Sequence, residues 1–427
     1  MEKSTVSKRV LTVLVAVLLF VVAFFAGFAV CYFRGGADDA KALWIKNMID
    51  TYYYEDIDPD DVYSLIGEEL LDPYSDYYDE TAYAELSNGR KGNKSGFGFS
   101  YYIPEGEDVA RVYAVSGSSP AERAGLRAGM RIFGAGRSED EIVSVSGSEF
   151  SAYFDSLGLE DGDTVFFETD AGIVSVTRGA YKENCVFYRD ADCGYRFVGE
   201  DALDAERTAE ALALPDDTAY IRITSFSGNV AQQFAAALEI FKDAGKKHLI
   251  LDLRGNGGGL LSDLQKVASY LLKDAEGDRP LVVRAKYKNG KTETYRAAKN
   301  EYRSYFAEDS RVWVLADSNT ASASECLIGA MLDYGTIGYG DILLSEIDGV
   351  AKTYGKGIMQ STFQYIDGSA IKLTTATVHW PVSDNNIHGR GVLPQDGAIA
   401  VAATAQPDTE EIESDLLRMV GVIAANS

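Results

Sequence analysis

Hydrophobic positions divide the chain into five stretches with different periodicities. Val10–Phe33 is a run of 24 residues without a charge. As a helix rising 1.5 Å per residue it would extend roughly 36 Å, enough for a bilayer core of about 30 Å. A secretory h-region is shorter and closes on a small-x-small cleavage site. This run ends AVCYFRGG, with bulky residues around Cys31, and so reads as an uncleaved anchor. Lys3, Lys8 and Arg9 precede it, while Asp38 and Asp39 soon follow Arg34. That bias predicts residues 1–35 to be a cytoplasmic N-terminus and one transmembrane helix, with all later residues extracytoplasmic.

Beyond the run, Leu43, Ile45, Met48 and Ile49 form a helical stripe and Asp72-Pro73 marks a turn, so residues 36–91 are expected to be a helical segment. Residues 92–182 change to short alternating runs such as RVYAVS and DTVFFET, a small β-rich domain. Its one expected helix has Ser119 as N-cap, Pro120 first, Glu122 as capping-box partner and Gly125 as stop. In residues 183–406, the strands Ala219–Phe226, His248–Leu253 and Val312–Asp317 alternate with amphipathic helices. This spacing predicts an α/β domain, a partly parallel sheet with right-handed crossover helices, with a hairpin turning at Asn289-Gly290. Residues 407–427 read as an acidic helical tail.

Composition then removes function classes. Of 427 residues, 46% are hydrophobic and 25% charged, as in ordinary globular chains. With 40 Lys plus Arg against 65 Asp plus Glu the net charge is −25, which argues against nucleic acid as a partner. The four Cys and three His are scattered, so no metal site or other cofactor is expected. Cys185 and Cys193 fit two readings, a small disulfide in an oxidising compartment or two free thiols.

Three constellations can carry chemistry. In Ala321-Ser322-Ala323-Ser324-Glu325, Ser322 and Glu325 fit a capping box. The same placement exposes a serine hydroxyl at the carboxyl edge of the sheet and directs the Ala323 amide to where an oxyanion would develop. Ser324 is a competing nucleophile. The second, DLRGNGGGLL from Asp252 to Leu261, lacks the lysine of a phosphate-binding loop. Its bare amides can hold an oxygen, with Gly258 the first choice and Gly257 and Gly259 close behind. The third places Lys356 and Gln360 four residues apart, on one side of a helix or strand. A lysine can serve as base if burial lowers its pKa from about 10.4 toward 7 or 8. Gln360 could hold the amine without adding charge, and a nearby Lys352 would depress it further.

The strings YIRITSF, ILDLRGNGGGLL, TASASE, TYGKGIMQ, LTTATVHWP and HGRGVLP, in this order, resemble the carboxyl-terminal processing peptidases, or tail-specific proteases. DPYSDYY resembles that family's N-terminal segment, and the middle domain its PDZ module. The resemblance implies a Ser/Lys dyad, with Ser322 as nucleophile, Lys356 as general base and Gln360 positioning it. It also implies Gly258 and Ala323 as oxyanion donors. Gly96, Phe97, Gly98 and Phe99 fit the loop by which a PDZ-like module holds a peptide's terminal carboxylate. The stretch between Ser322 and Lys356 is longer than the family usually has. The expectation is a membrane-anchored serine endopeptidase acting on proteins with exposed C-termini outside the cytoplasm. The alternative is an anchored PDZ-type protein that binds such ends without cutting.

Overall fold

The computed structural model describes residues 63–64 and 71–427, except 105–106, 199–204, 210, 274–276, 348, 404–408 and 427. The expected transmembrane helix at Val10–Phe33 and the stripe from Leu43 to Ile49 lie outside these residues. Among the described residues, no helix is long and apolar enough to cross a membrane.

From Asp72 onward the expected helical segment gives way to strand β1 (Asp76–Tyr78) and helix α1 (Glu80–Arg90). Asp79 starts α1, its carboxylate accepting from the Ala82 amide at 2.7 Å. Strand β2 (Asn93–Gly96) then leads into the middle domain, which contains β3 (Phe99–Tyr102), β4 (Ala110–Val115), α2 (Pro120–Ala124), β5 (Arg131–Gly136), β6 (Val143–Ser144), α3 (Gly147–Ser156), β7 (Thr164–Thr169) and β8 (Gly172–Thr177). Strand β9 (Gly179–Lys182) pairs with β2 at the exit. Helix α2 begins and ends at Ser119 and Gly125 as its sequence predicts, but Glu122 accepts from the Ser118 amide, one residue before the expected partner. Helix α3 is a second helix in a domain expected to have one. Its buried Phe150 belongs to an aromatic core with Phe97 and Phe167, a packing across sequence that no local period discloses.

The remaining chain supplies β10 (Val186–Arg189), β11 (Gly194–Phe197), β12 (Ala205–Thr208), β13 (Thr218–Ile223), α4 (Val230–Asp243), β14 (His248–Asp252), α5 (Leu261–Ala268), β15 (Leu281–Tyr287) and β16 (Thr292–Arg296). It continues with α6 (Tyr302–Tyr305), β17 (Val312–Ala316), α7 (Ala323–Asp333), β18 (Ile342–Ile347), β19 (Val350–Ala351), β20 (Ile358–Gln364), β21 (Ala370–His379), β22 (Ile399–Ala402) and α8 (Thr409–Asn426). One sheet has the order β12-β11-β10-β13-β14-β17-β18-β19, with β22 beside β18. Within it β13, β14, β17 and β18 are parallel neighbours, as their unbroken apolar runs predict for strands covered on both faces. A second sheet has the order β1-β21-β15-β16, with β20 also on β21.

Alternation along the parallel strands sets the two covered faces. Ala219, Ile221, Leu249 and Leu251 turn toward α4, α5 and α7, whereas Tyr220, Ile250, Trp313 and Leu343 turn toward α8. Leu416, Met419, Val420 and Ile423 recur at helical spacing and are buried against that face. The expected tail is therefore a docked layer of the core. Cys185 and Cys193 are both buried free thiols, which selects the second reading of that pair.

Helix α7 contacts the second sheet through an absence. A Cβ on Gly329 would lie 2.1–2.3 Å from the indole atoms of Trp380, which is buried just after β21. Glycine inside a helix costs about 1 kcal/mol relative to alanine. Here it lets an aromatic plane lie directly on the helix backbone.

Candidate active site

Strand β17 ends in a loop held by Asp317, whose carboxylate accepts from the Gly255 amide at 3.0 Å and from the Asn319 amide at 3.0 Å. The Thr320 hydroxyl donates to the Leu253 carbonyl at 2.8 Å. These bonds tie the loop before α7 to the loop after β14, as the carboxyl edge of a parallel sheet permits. Ser322 follows with φ 57° and ψ −113°, positive φ being uncommon for a side-chain-bearing residue. Such a conformation costs of order 1–3 kcal/mol and persists only where its surroundings enforce it.

Glu325 supplies much of that enforcement. It is fully buried, and its carboxylate accepts from the amides of Ser322 (3.0 Å), Gly355 (2.7 Å) and Lys356 (2.8 Å) and from the Thr353 hydroxyl (2.6 Å). Burial raises its pKa, while the four donors oppose the rise. The sequence discloses Glu325 only as a helix cap. Its second role, fastening residues 353–356 to the start of α7, depends on chain about 30 residues away.

Ser322, Ala323, Gly258, Lys356 and Gln360 line one open cavity of about 1500 Å³. Ser324 does not. It is fully buried and its hydroxyl donates to the Asn256 carbonyl at 2.9 Å, so the competing reading of this motif loses its geometry. Ser324→Ala is expected to cost about 0.5–1.5 kcal/mol in stability, one hydrogen bond, which thermal melts check.

The Lys356 amine is half-buried and has no ion pair among the described residues. It sits 4.6 Å from the centre of the Tyr74 ring, a cation–π distance. Burial lowers its pKa, the Lys372 charge lowers it further and Asp72 opposes. The depressing neighbour is thus Lys372 on β21, not the expected Lys352. Gln360 does not grip the amine. Its side-chain NH2 donates to the Thr374 hydroxyl at 3.0 Å, which donates to Asp72 at 3.0 Å. Asp72 also accepts from the Tyr74 amide (3.0 Å) and the Ser75 hydroxyl (3.0 Å), fixing the turn that holds Tyr74 beside Lys356. The Tyr74 hydroxyl donates to that of Tyr354 at 3.1 Å, and its own pKa is raised to about 12. Local pattern marks DPYS as a turn and does not disclose its contact with Lys356.

Gly258 has φ 101°, and a Cβ there would come within 2.8 Å of the Ser322 Cβ and 2.9 Å of the Ala323 amide nitrogen. Only glycine fits this contact. Its amide, the first choice for an oxyanion donor, instead donates to Asn256 Oδ1 at 2.9 Å. Asparagine readily closes such a turn onto the amide two residues ahead. Asn256 is fully buried and donates in turn to the Ile223 carbonyl at 2.9 Å. In this arrangement Gly258 is not a free donor, and Ala323 is the expected donor left at the start of a helix. Of the middle-domain loop, Phe97 is a core residue whose ring packs edge-on to Phe167, while Gly96 ends β2 and Gly98 abuts Ser119. Phe99 opens β3, an edge strand of its sheet.

A hydroxyl at a helix start, a desolvated amine without a counter-ion and a backbone amide around one cavity can support acyl transfer. Among the described residues no cluster of His, Cys, Asp and Glu could hold a metal ion. Residues 217–396 match the profile of Peptidase family S41. The chain is 29% identical over 355 residues to a "Carboxyl-terminal-processing protease" of Picosynechococcus sp., covering 79% of this chain and 73% of that protein. It is 27% identical over 366 residues to a "Probable CtpA-like serine protease" of Staphylococcus aureus, covering 84% of this chain but 64% of that protein. A solved structure from Bacteroides fragilis assigned to the S41 proteases superposes with a TM-score of 0.55 at 16% identity, covering 90% of this chain and 97% of that one. That likeness supports the fold alone.

Proposed function

We propose that this chain, whose residues 217–396 match Peptidase family S41, is a membrane-anchored serine endopeptidase that recognises and cleaves C-terminal tails of extracytoplasmic proteins. In this reading Ser322 is the nucleophile and Lys356 the general base. Gln360 acts at one remove, through Thr374 and Asp72, by fixing the turn that carries Tyr74. The observation that carries the proposal is the shared cavity, which the strained Ser322 and the half-buried, ion-pair-free Lys356 both line.

The neutral Lys356 amine takes the Ser322 proton as the hydroxyl oxygen bonds to the peptide carbonyl carbon. Negative charge moves to the carbonyl oxygen, opposite the Ala323 amide. The protonated lysine then gives its proton to the leaving nitrogen as the C–N bond breaks, leaving an acyl-enzyme. Water, deprotonated by the same amine, releases the acid and restores Ser322. A second donor from the glycine loop joins once the Gly258 amide, or that of Gly257 or Gly259, faces the cavity.

Two further parts of the proposal rest on the sequence and on local geometry. The uncharged run Val10–Phe33 with its preceding Lys and Arg supports an anchor with the peptidase outside. The edge strand β3, opening at the Gly96–Phe99 loop, supports capture of a chain end by strand addition in a PDZ-like manner. The test is incubation of the full chain with an unfolded polypeptide and a copy whose C-terminus is amidated, with new termini read by mass spectrometry. New internal termini are expected from both, with the amidated copy cut roughly tenfold more slowly, the loss of one charged contact worth about 1.4 kcal/mol. Binding without any new terminus would overturn the enzymatic reading, and equal rates would overturn C-terminal recognition.

A further inference from the structure

The cavity that holds Ser322 has a charge opposite to that of the chain. Against a net charge of −25, its lining includes Arg90, Lys94, Arg178, Lys356 and Lys372, with Glu85 as the one acidic residue. Lys94 and Arg178 are compensated by ion pairs with Glu183 (3.5 Å) and Asp161. Arg90 and Lys372 have no ion pair among the described residues. Arg90 ends α1, and its carbonyl accepts from the Gly228 amide at 3.0 Å. That places it beside the segment that pairs with Gly258 and Gly259, in the glycine loop that packs on Ser322. Lys372 lies on the base side, opposite Thr362 in the β20–β21 pairing and opposite Asp76 in the β1–β21 pairing, with no ion pair to that carboxylate among the described residues. Its amine donates to the Tyr78 hydroxyl at 2.6 Å and lies 5.1 Å from that ring's centre. A neutral phenol and its ring fix the position of this cation without cancelling its charge.

Two cations without ion pairs in the cavity that Ser322 lines are a recognition feature for negative charge. The acidic surface does not cancel it, because fields of exposed charges fade over about 8–10 Å at physiological salt. We propose that Arg90 and Lys372 are specificity-determining residues that select polypeptide segments bearing aspartate or glutamate near the cleaved bond. The proposal rests on the peptidase reading given above and adds the chemistry of the segment that enters. Selection acts on substrate binding, and through Lys372 it also touches the base. An acidic side chain paired with Lys372 removes part of the charge that depresses Lys356, so the preference appears in KM more than in kcat.

The experiment uses peptides acetylated and amidated at their ends, so that neither a terminal charge nor capture of a free carboxylate contributes. Three versions differ only in Glu, Gln or Lys placed two or three residues from the central bond. Binding to the full chain carrying Ser322→Ala is read by fluorescence anisotropy at 50 and 500 mM salt. Cleavage by the unaltered chain gives kcat and KM. The Glu peptide is expected to bind about five- to tenfold more tightly than the Gln peptide at low salt, with the Lys peptide weakest and the differences shrinking at high salt. Arg90→Glu and Lys372→Glu, each combined with Ser322→Ala, are expected to reverse the order. The milder Arg90→Gln and Lys372→Gln should flatten it, and these cover any folding defect of the reversals. Equal binding of the Glu and Gln peptides, or a Glu preference that survives in all four variants, would overturn the proposal. A Glu preference in binding with none of the peptides cleaved would uphold the cleft's selectivity and count against the peptidase reading.

Discussion

Ser322→Ala and Lys356→Ala are each expected to lower the rate of peptide cleavage by about 10⁴- to 10⁶-fold, and the double variant no further than the worse of the two. Residues that act as one unit are not additive, because removing either leaves only substrate binding and oxyanion contacts. Both changes should leave peptide binding and the melting temperature nearly unaltered, since neither side chain carries a hydrogen bond that holds the fold. In the proposed mechanism Lys356→Ala also removes the proton acceptor that sets the pH profile. The reaction needs the neutral amine, so the rate should rise with pH. Burial and Lys372 lower the pKa of Lys356, which places the midpoint of that rise below the ordinary lysine value of about 10.4. Moving Lys356 toward water, or removing Lys372, should shift the midpoint upward or raise the fraction protonated at neutral pH. Full turnover by either single variant would dismiss the dyad.

The second large effect is expected at Glu325. Glu325→Ala withdraws the acceptor from four donors at once, three of them backbone amides. Breaking a buried, hydrogen-bonded charged group typically costs about 3–5 kcal/mol. The bonds lost are those that fix Ser322 at positive φ and seat the chain leading into Lys356. Activity should therefore fall by about 100-fold or more even where the variant is folded. Glu325→Gln keeps the volume and one acceptor oxygen but turns an NH2 group toward amide donors, and should lie between. Denaturant unfolding with kcat and KM measured on the same preparations separates the two effects. A Glu325→Ala variant with wild-type kcat would mean that the carboxylate serves stability alone.

The parallel strands and their helices are legible because burial on both faces makes HLILDL and VWVLA nearly uninterrupted, and because Val230, Phe234, Leu238 and Phe241 repeat at helical spacing. What stays hidden is pairing at long range. DPYS reads locally as a turn, yet Asp72 meets Thr374 about 300 residues later, and only the fold shows that this brings Tyr74 onto Lys356. Lys352, four residues from Lys356, is the neighbour the sequence offers, whereas Lys372 is brought close by the hairpin of β20 and β21. Ser322 and Ser324 are both possible nucleophiles until one is seen to face the cavity and the other the interior. Gly258 is rightly marked as a position for glycine, but the direction of its amide depends on the Asn256 side chain. Helix α3 does carry a local signal, Phe150, Tyr153 and Phe154 at i, i+3 and i+4, but one so short that only the ring cluster it joins distinguishes it from the surrounding strands and turns.

The missing methyl at position 329 has a consequence for how this chain can vary. Trp380 is seated on α7 only because nothing projects there, so even alanine, the mildest of replacements, would drive the indole outward and carry β21 with it. Position 329 is thus a hinge of tolerance. A side chain at this point would part the helix that begins beside Ser322 from the ribbon that carries Lys372, and mutational scanning should find it as intolerant as Glu325.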